Sequence, residues 1–167
     1  MFSIIEKISV GFIEKGWDQV VKNKEFQRLQ EAIRGRIARE LRFNDELLRT
    51  ILKHRSPDDA ELLRRLTESL HTSAFDAVCD AAVPLKIIVG QSNISKDDWK
   101  VIQEKFPYPS TNYLKWASNI CDSAMLTERI YHRSKIIKLF NSLDISKNQQ
   151  SIKYVLFLIR AFFQTTK

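Results

Sequence analysis

The sequence predicts an all-α fold, a single-domain bundle of five to seven helices in which two long helices pack antiparallel. Only four Gly and four Pro occur in 167 residues, too few to punctuate a sandwich or barrel whose turns recur about every 8 to 12 residues. Apolar residues recur at spacings of three and four along most of the chain, the period of a helix with one buried face. With 44% hydrophobic and 28% charged residues, the composition lies above the hydrophobicity that leaves chains disordered, and the length is sufficient for one core.

Taken in order, residues 2–22 set Ile5, Ile8, Phe12, Trp17 and Val20 against Glu6, Lys7, Glu14, Lys15 and Asp18. This is an amphipathic N-terminal helix, weakened at Gly11 and Gly16, and the alternatives for it are packing on its own domain or semi-independence from the rest. Its polar side is less basic than that of a helix lying in a membrane surface, so packing on the domain core is the expectation. Residues 24–54 carry the strongest pattern: Phe26, Leu29, Ile33, Ile37, Leu41, Leu48, Ile51 and Leu52 make one stripe of a long helix. Charges of both signs, Glu31, Arg34, Arg36, Arg39, Glu40, Asp45 and Arg49 among them, are expected on its outer, solvated side. Asn44 interrupts the helix; if buried it sets register between helices, and if exposed it does nothing.

Ser56-Pro57-Asp58-Asp59 reads as a helix start, with Ser at the cap, Pro at the first helical position and acids near the positive end of the dipole. The helix it opens runs to about Val83, first on Leu62, Leu63, Leu66 and Leu70. After a break at Thr72-Ser73 it continues on small residues that permit close helix approach. Pro84 ends it, and Leu85–Val89 before Gly90 reads as a buried helical turn, since no partner strand is evident. Ser95-Lys96-Asp97-Asp98 resembles a capping box, opening a short helix with Trp99, Ile102 and Phe106 that Pro107 and Pro109 close. Ser110-Thr111-Asn112 opens a second long helix to about Leu143. After a linker over 144–148, the run Val155-Leu156-Phe157-Leu158-Ile159 marks a last helix buried on most sides, too short to span a membrane.

The net charge of +7 is unevenly placed: residues 101–167 hold ten basic against four acidic side chains, carried on helices and not in a tail. Cys79 and Cys121 lack CxxC spacing and clustered His, and read as buried reduced thiols in helices. The charges in Met1-Phe2-Ser3-Ile4-Ile5-Glu6-Lys7 exclude a signal peptide there, and a cytoplasmic setting is expected.

Phosphate-cradling loops, HExxH, GxSxG, EF-hand loops and CxxC pairs are all missing, so no cofactor is implied. Tandem acids at Asp58-Asp59 and Asp97-Asp98 sit at predicted helix starts, where the dipole favours them, and not in a metal site. Arg49 precedes His54 by five residues, and Arg64 and Arg65 precede His71 by seven and six. These spacings resemble the Arg-x(4–6)-His signature of the HEPN helical ribonucleases. The resemblance covers only these residues and implies RNA cleavage by Arg49, His54, Arg65 and His71 across two protomers, with His moving a proton and Arg stabilising the developing charge. The family has a small polar residue after its arginine; Thr50 fits that pattern and Leu66 departs from it. A second constellation, Arg129, His132 and Arg133 with Lys135 and Lys138, forms a candidate anion- or nucleic-acid-binding surface. Within it Glu128 and His132 are spaced for an ion pair, and Tyr131 is expected in the core.

By elimination, the expected function is a non-enzymatic helical module that binds another protein or itself, in the style of a small bacterial or phage accessory protein. The alternatives are nucleic-acid binding through the basic C-terminal third and HEPN-like ribonuclease activity.

Overall fold

The structure, a computed structural model, describes residues 24–54, 59–140 and 149–165. The expectations for a helix over 2–22, for the cap at Ser56-Pro57 and for the linker over 144–148 lie outside the described residues. Within them the chain is all-helical, and the extended contribution is one isolated antiparallel bridge, Asn93 with Asp122. Among the described residues no helix is long and apolar enough to cross a membrane.

The helices are α1 (Lys24–Lys53), α2 (Ala60–Glu68), α3 (Ser73–Asp80), α4 (Leu85–Val89), α5 (Lys96–Glu104), α6 (Thr111–Ala117), α7 (Ser123–Lys138) and α8 (Gln149–Thr165). The centre of the bundle is α8. Its apolar run is buried on nearly every side, from Ile152 through Phe162, and it packs chiefly on α7 and α1 and then on α5. A helix this apolar keeps only a narrow solvated edge, at Gln150, Lys153 and Arg160, so the others arrange themselves around it. The outer side of α1 collects α2, α3 and α4.

The expected helix over 110–143 is two helices. The break falls at residues 118–122, because the backbone of Cys121 and Ser123 is taken up by the segment over 90–94. Ile94 N–H donates to the Cys121 carbonyl (2.9 Å) and Ser123 N–H to the Ser92 carbonyl (3.0 Å), while Ser123 Oγ donates to the Gly90 carbonyl (2.8 Å). Asp122 then caps α7, accepting from Met125 N–H at 2.8 Å, which supplies one of the orphan donors of a new helix start. The break at Thr72-Ser73 and the helical turn over Leu85–Val89 are as the sequence predicts. The capping box at Ser95 is present with both of its reciprocal bonds.

Two polar residues of α1 organise its packing. Asn44 is fully buried and grips the backbone between α2 and α3: its Nδ2 donates to the His71 carbonyl and its Oδ1 accepts from His71 N–H, both at 2.7 Å. This is the register-setting alternative for Asn44. Asn44→Asp keeps the shape but replaces a donor with an oxygen facing an oxygen, and is expected to destabilise the protein by about 3 kcal/mol. Urea unfolding should show a lower midpoint at unchanged slope; a loss under about 1 kcal/mol would place Asn44 among ordinary surface substitutions.

Glu40, expected on the solvated side, is buried. It lies three residues after Ile37 and seven after Ile33, inside the apolar stripe. Its Oε1 accepts from Ala74 N–H (2.8 Å) and Ser73 Oγ (2.6 Å), and its Oε2 accepts from the Tyr131 hydroxyl (3.0 Å). Thr72, at the N-cap of α3, makes no side-chain capping bond. A carboxylate from α1 therefore serves as the cap of α3 and favours its positive end.

Both cysteines are exposed, correcting the expectation of burial. Cys121 stands in the loop between α6 and α7 and not in a helix, its Sγ 3.3 Å from Met125 Sδ. Cys79 is on the open side of α3, where partial burial nevertheless pushes its thiol pKa up.

Candidate functional site

Two surface features collect chemistry. The first is an open groove of about 780 Å³ between α1 and α3, closed by α4. Its floor is apolar: Leu29, Ile33 and Phe43 come from α1, Ala77 and Val78 from α3, and Ile88 from α4. The small side chains of α3 leave the space, since alanine cannot reach across to α1. The short α4 is held in place by α1 side chains, Gln30 Nε2 donating to the Ile87 carbonyl and Arg34 Nε to the Ile88 carbonyl. Gly90 then turns the chain at φ +83°, a conformation L side chains avoid. Polar groups stand at the rim. Arg36 Nη2 donates to Ser73 Oγ (3.1 Å) and its Nε lies 4.0 Å from Glu40. Arg39 lines the groove beside it, and the His71 ring tilts against Phe43 at 4.5 Å.

The second feature is a cleft of about 500 Å³ along α7, lined by Met125, Glu128, Arg129, His132, Arg133 and Ile136 with Ile120. Residues 125, 129, 132, 133 and 136 follow the three-and-four spacing that puts side chains on one helix face. Among the described residues no ion pair forms at Arg129, His132 or Arg133, and the spacing of Glu128 and His132 is not used for one. The Arg133 guanidinium lies 5.9 Å from the Tyr154 ring, and Trp116 packs edge-on against the same ring at 5.2 Å. The Tyr154 side chain is buried and its hydroxyl has no hydrogen-bond partner among the described residues. Burial raises that phenol's pKa, and the charges of Arg129 and Arg133 oppose the rise.

Lys135 and Lys138, expected on the same surface, are elsewhere. Lys135 pairs with Asp76 of α3 and sits 5.5 Å from the Phe75 ring. Burial would raise the Asp76 carboxyl, but the hydrogen bonds from Lys135 and Thr72 and the nearby positive charge bring it below the ordinary value. Lys138 Nζ donates to the Leu70 carbonyl at 3.0 Å, tying α7 to the end of α2. Both ammonium groups staple helices. Tyr131 is in the core as expected, its phenol raised well above the ordinary range by burial and by the Glu40 carboxylate.

The arginine–histidine spacings are not brought together in the described clefts. Arg49 is held by Asp45 through two bonds, 2.7 and 3.2 Å, which raise its pKa. It lines a shallow cleft with Arg42, Glu46 and Arg160 that contains no histidine. His54 Nδ1 lies 3.6 Å from Asp59. Arg64 and Arg65 both bond Glu61, at 2.9 and 2.8 Å, drawing its carboxyl down to about 2. His71 is at the groove, beside Arg36 and Arg39 instead of Arg65. Of the tandem acids, Asp97 pairs with Lys100 at 2.9 Å. Asp98 closes the capping box, and the Ser95 hydrogen bonds lower its carboxyl. Among the described residues no group of three His, Cys, Asp or Glu side chains is placed to hold a metal ion.

Compared with known protein families, with curated proteins and with solved structures, the chain matches none. Its function is therefore read from these two surfaces. Sequence reasoning located three of the cleft residues through their common helix face, but missed Trp116 of α6 and Tyr154 of α8, whose rings stand beside Arg133 at the cleft's edge. It also missed the groove, whose walls come from three separate helices. The run of small residues from Ala74 to Ala82 was its one visible sign.

Proposed function

We propose that this chain is a non-enzymatic interaction module that receives an amphipathic helix of a partner protein, acidic along its flank, in the groove between α1 and α3. The observation that carries the reading is the groove itself: about 780 Å³ with an apolar floor, in the range of a binding site and not of a packing defect. From Leu29 to Phe43 the α1 wall runs roughly 20 Å at 1.5 Å per residue, the length of about four helical turns. A helix in a groove is read through apolar anchors at positions i, i+3, i+4 and i+7. The small residues of α3 let such a backbone come close. The cationic rim at Arg36 and Arg39 selects for carboxylates beside those anchors, a matter of specificity and encounter rate more than of affinity.

Selection from a displayed library of peptides about four to six turns long tests the reading, run on the native protein and on Ala77→Glu. Ala77 is half-buried in the groove wall, so glutamate there still folds with its carboxylate in the open groove but opposes an apolar anchor. Peptides enriched on the native protein should show helical apolar spacing with flanking acids, and bind Ala77→Glu about tenfold more weakly or worse. Enrichment of basic or non-helical sequences, or equal binding to both proteins, sinks the proposal. Light scattering on the native protein reads another occupant: a dimer abolished by Ala77→Glu would make that helix one belonging to a second copy.

A further inference from the structure

The α7 cleft shares no residue with the groove, and its chemistry is different. Some helix cations here are held by a carboxylate three or four positions away, Arg49, Arg64, Arg65 and Lys100 among them. Among the described residues Arg129 and Arg133, one turn apart on the same face, make no such pair, and His132 lines the same cleft with its ring edge-on to Phe75 at 6.0 Å. Two guanidiniums one turn apart with an imidazole make a fork for phosphate oxygens. Beside them stands an unusual amount of exposed apolar surface for so charged a face. Trp116, Met125 and Ile136 are three of the large hydrophobic side chains that remain exposed, and Met125 and Ile136 line the cleft itself. Trp116 and Arg133 both lie within 6 Å of the buried Tyr154 ring, which fixes an exposed indole at a set place beside the cation pair.

We infer that this face binds single-stranded nucleic acid, with phosphates on Arg129, His132 and Arg133 and an unpaired base against Trp116. The combination of cations that follow a backbone with an aromatic ring that stacks a base is the one single strands require. A duplex hides its bases' faces and would leave Trp116 without a role. An anionic membrane is recognised by clusters of about four to eight Lys and Arg, and this cleft has two arginines with Glu128 at its edge. The excess of basic over acidic residues from 101 to 167 adds long-range attraction for a polyanion.

Fluorescence anisotropy of a short labelled oligouridine, titrated with the full chain over a range of salt, tests the inference. Binding should weaken with salt. In Arg129→Gln/Arg133→Gln the affinity should fall about tenfold or more, and the slope of log affinity against log salt should fall by about 1.4, since each single-strand phosphate contact contributes about 0.7. Trp116→Ala, a change at an exposed ring, should lower affinity about fivefold or more while leaving the salt slope unchanged. Circular dichroism melting of each variant verifies that the fold is intact. If the arginine variant unfolds, the native salt slope together with Trp116→Ala decides. Preferential binding of duplex DNA or of phosphatidylserine vesicles overturns the inference. So does a native affinity insensitive to salt, or oligouridine binding that survives either set of substitutions unchanged.

Discussion

Glu40→Ala is expected to destabilise the protein by about 3 to 4 kcal/mol, a large share of the roughly 5 to 15 kcal/mol that holds a domain together. The carboxylate is buried and serves three donors on two other helices, Ala74 N–H and Ser73 Oγ at α3 and the Tyr131 hydroxyl at α7. Removing it relieves the desolvation of one charge. That gain is outweighed because Tyr131 lies in the core and Ala74 N–H at a buried helix start, where water does not replace the lost acceptor. The helix it caps is also a wall of the groove, so peptide binding should weaken along with stability. Glu40→Gln retains one acceptor oxygen for α3 and is expected to lose about half as much. Urea unfolding followed by circular dichroism measures both. Equal losses for Ala and Gln would show that the charge, and not the acceptor geometry, is what α3 needs.

Phe157→Ala is expected to lose about 4 kcal/mol, within the range for emptying a buried aromatic site. Phe157 is fully buried at the middle of α8, with its ring centroid 5.2 Å from Tyr113, 5.4 Å from Phe106 and 5.6 Å from Trp99. Those three rings belong to α6, to the segment after α5 and to α5, so one side chain joins the last helix to everything between α5 and α6. The rings are large and anchored, Trp99 Nε1 donating to the Ile120 carbonyl at 3.3 Å. They have little room to collapse into the void, which places the cost high in the range. Tyr154, one turn earlier on α8, packs on the same cluster, so the seating of Trp116 should loosen and the indole fluorescence should change. Phe163→Ala supplies the contrast: that ring is half-buried, and its contact with Arg42, 5.3 Å from the ring centre, is worth about 1 kcal/mol. A loss below about 2 kcal/mol for Phe157→Ala would mean that the cluster repacks and is not the keystone of the α8 interface.

The legible parts of the fold were those decided within a few turns of chain. The stripe of α1, the capping box at Ser95, the break before Ser73, the helical turn after Pro84 and the all-round burial of α8 each follow from periodicity, caps and breakers. The parts that escaped involve a partner far away in sequence. The division of 110–143 depends on the 90–94 segment claiming the backbone of residues 121–123, which no local signal announces. Glu40 looked like one more surface charge among many, although its place three residues after Ile37 lay on the buried stripe. The burial expected of the two cysteines rested on the lack of CxxC spacing and of clustered His and on their place in predicted helices, and the faces of α3 and of the α6–α7 loop decided otherwise.

The candidate site divides in the same way. Arg129, His132 and Arg133 share a face because of helical geometry alone, so their grouping could be read from their numbers. That Lys135 and Lys138 leave the group depends on Asp76 and the Leu70 carbonyl waiting on neighbouring helices. By itself the sequence determined an all-helical chain, the positions of most helix ends and the helix that would lie at the centre, because these follow from local backbone preferences and from the burial of apolar stripes. Only the tertiary structure decided which charges are paired and which remain open, that Glu40 caps a distant helix, and that a groove lies between α1 and α3. Ion pairs, remote caps and grooves are properties of surfaces brought together across tens of residues, and the pattern along any one helix does not encode what stands opposite it.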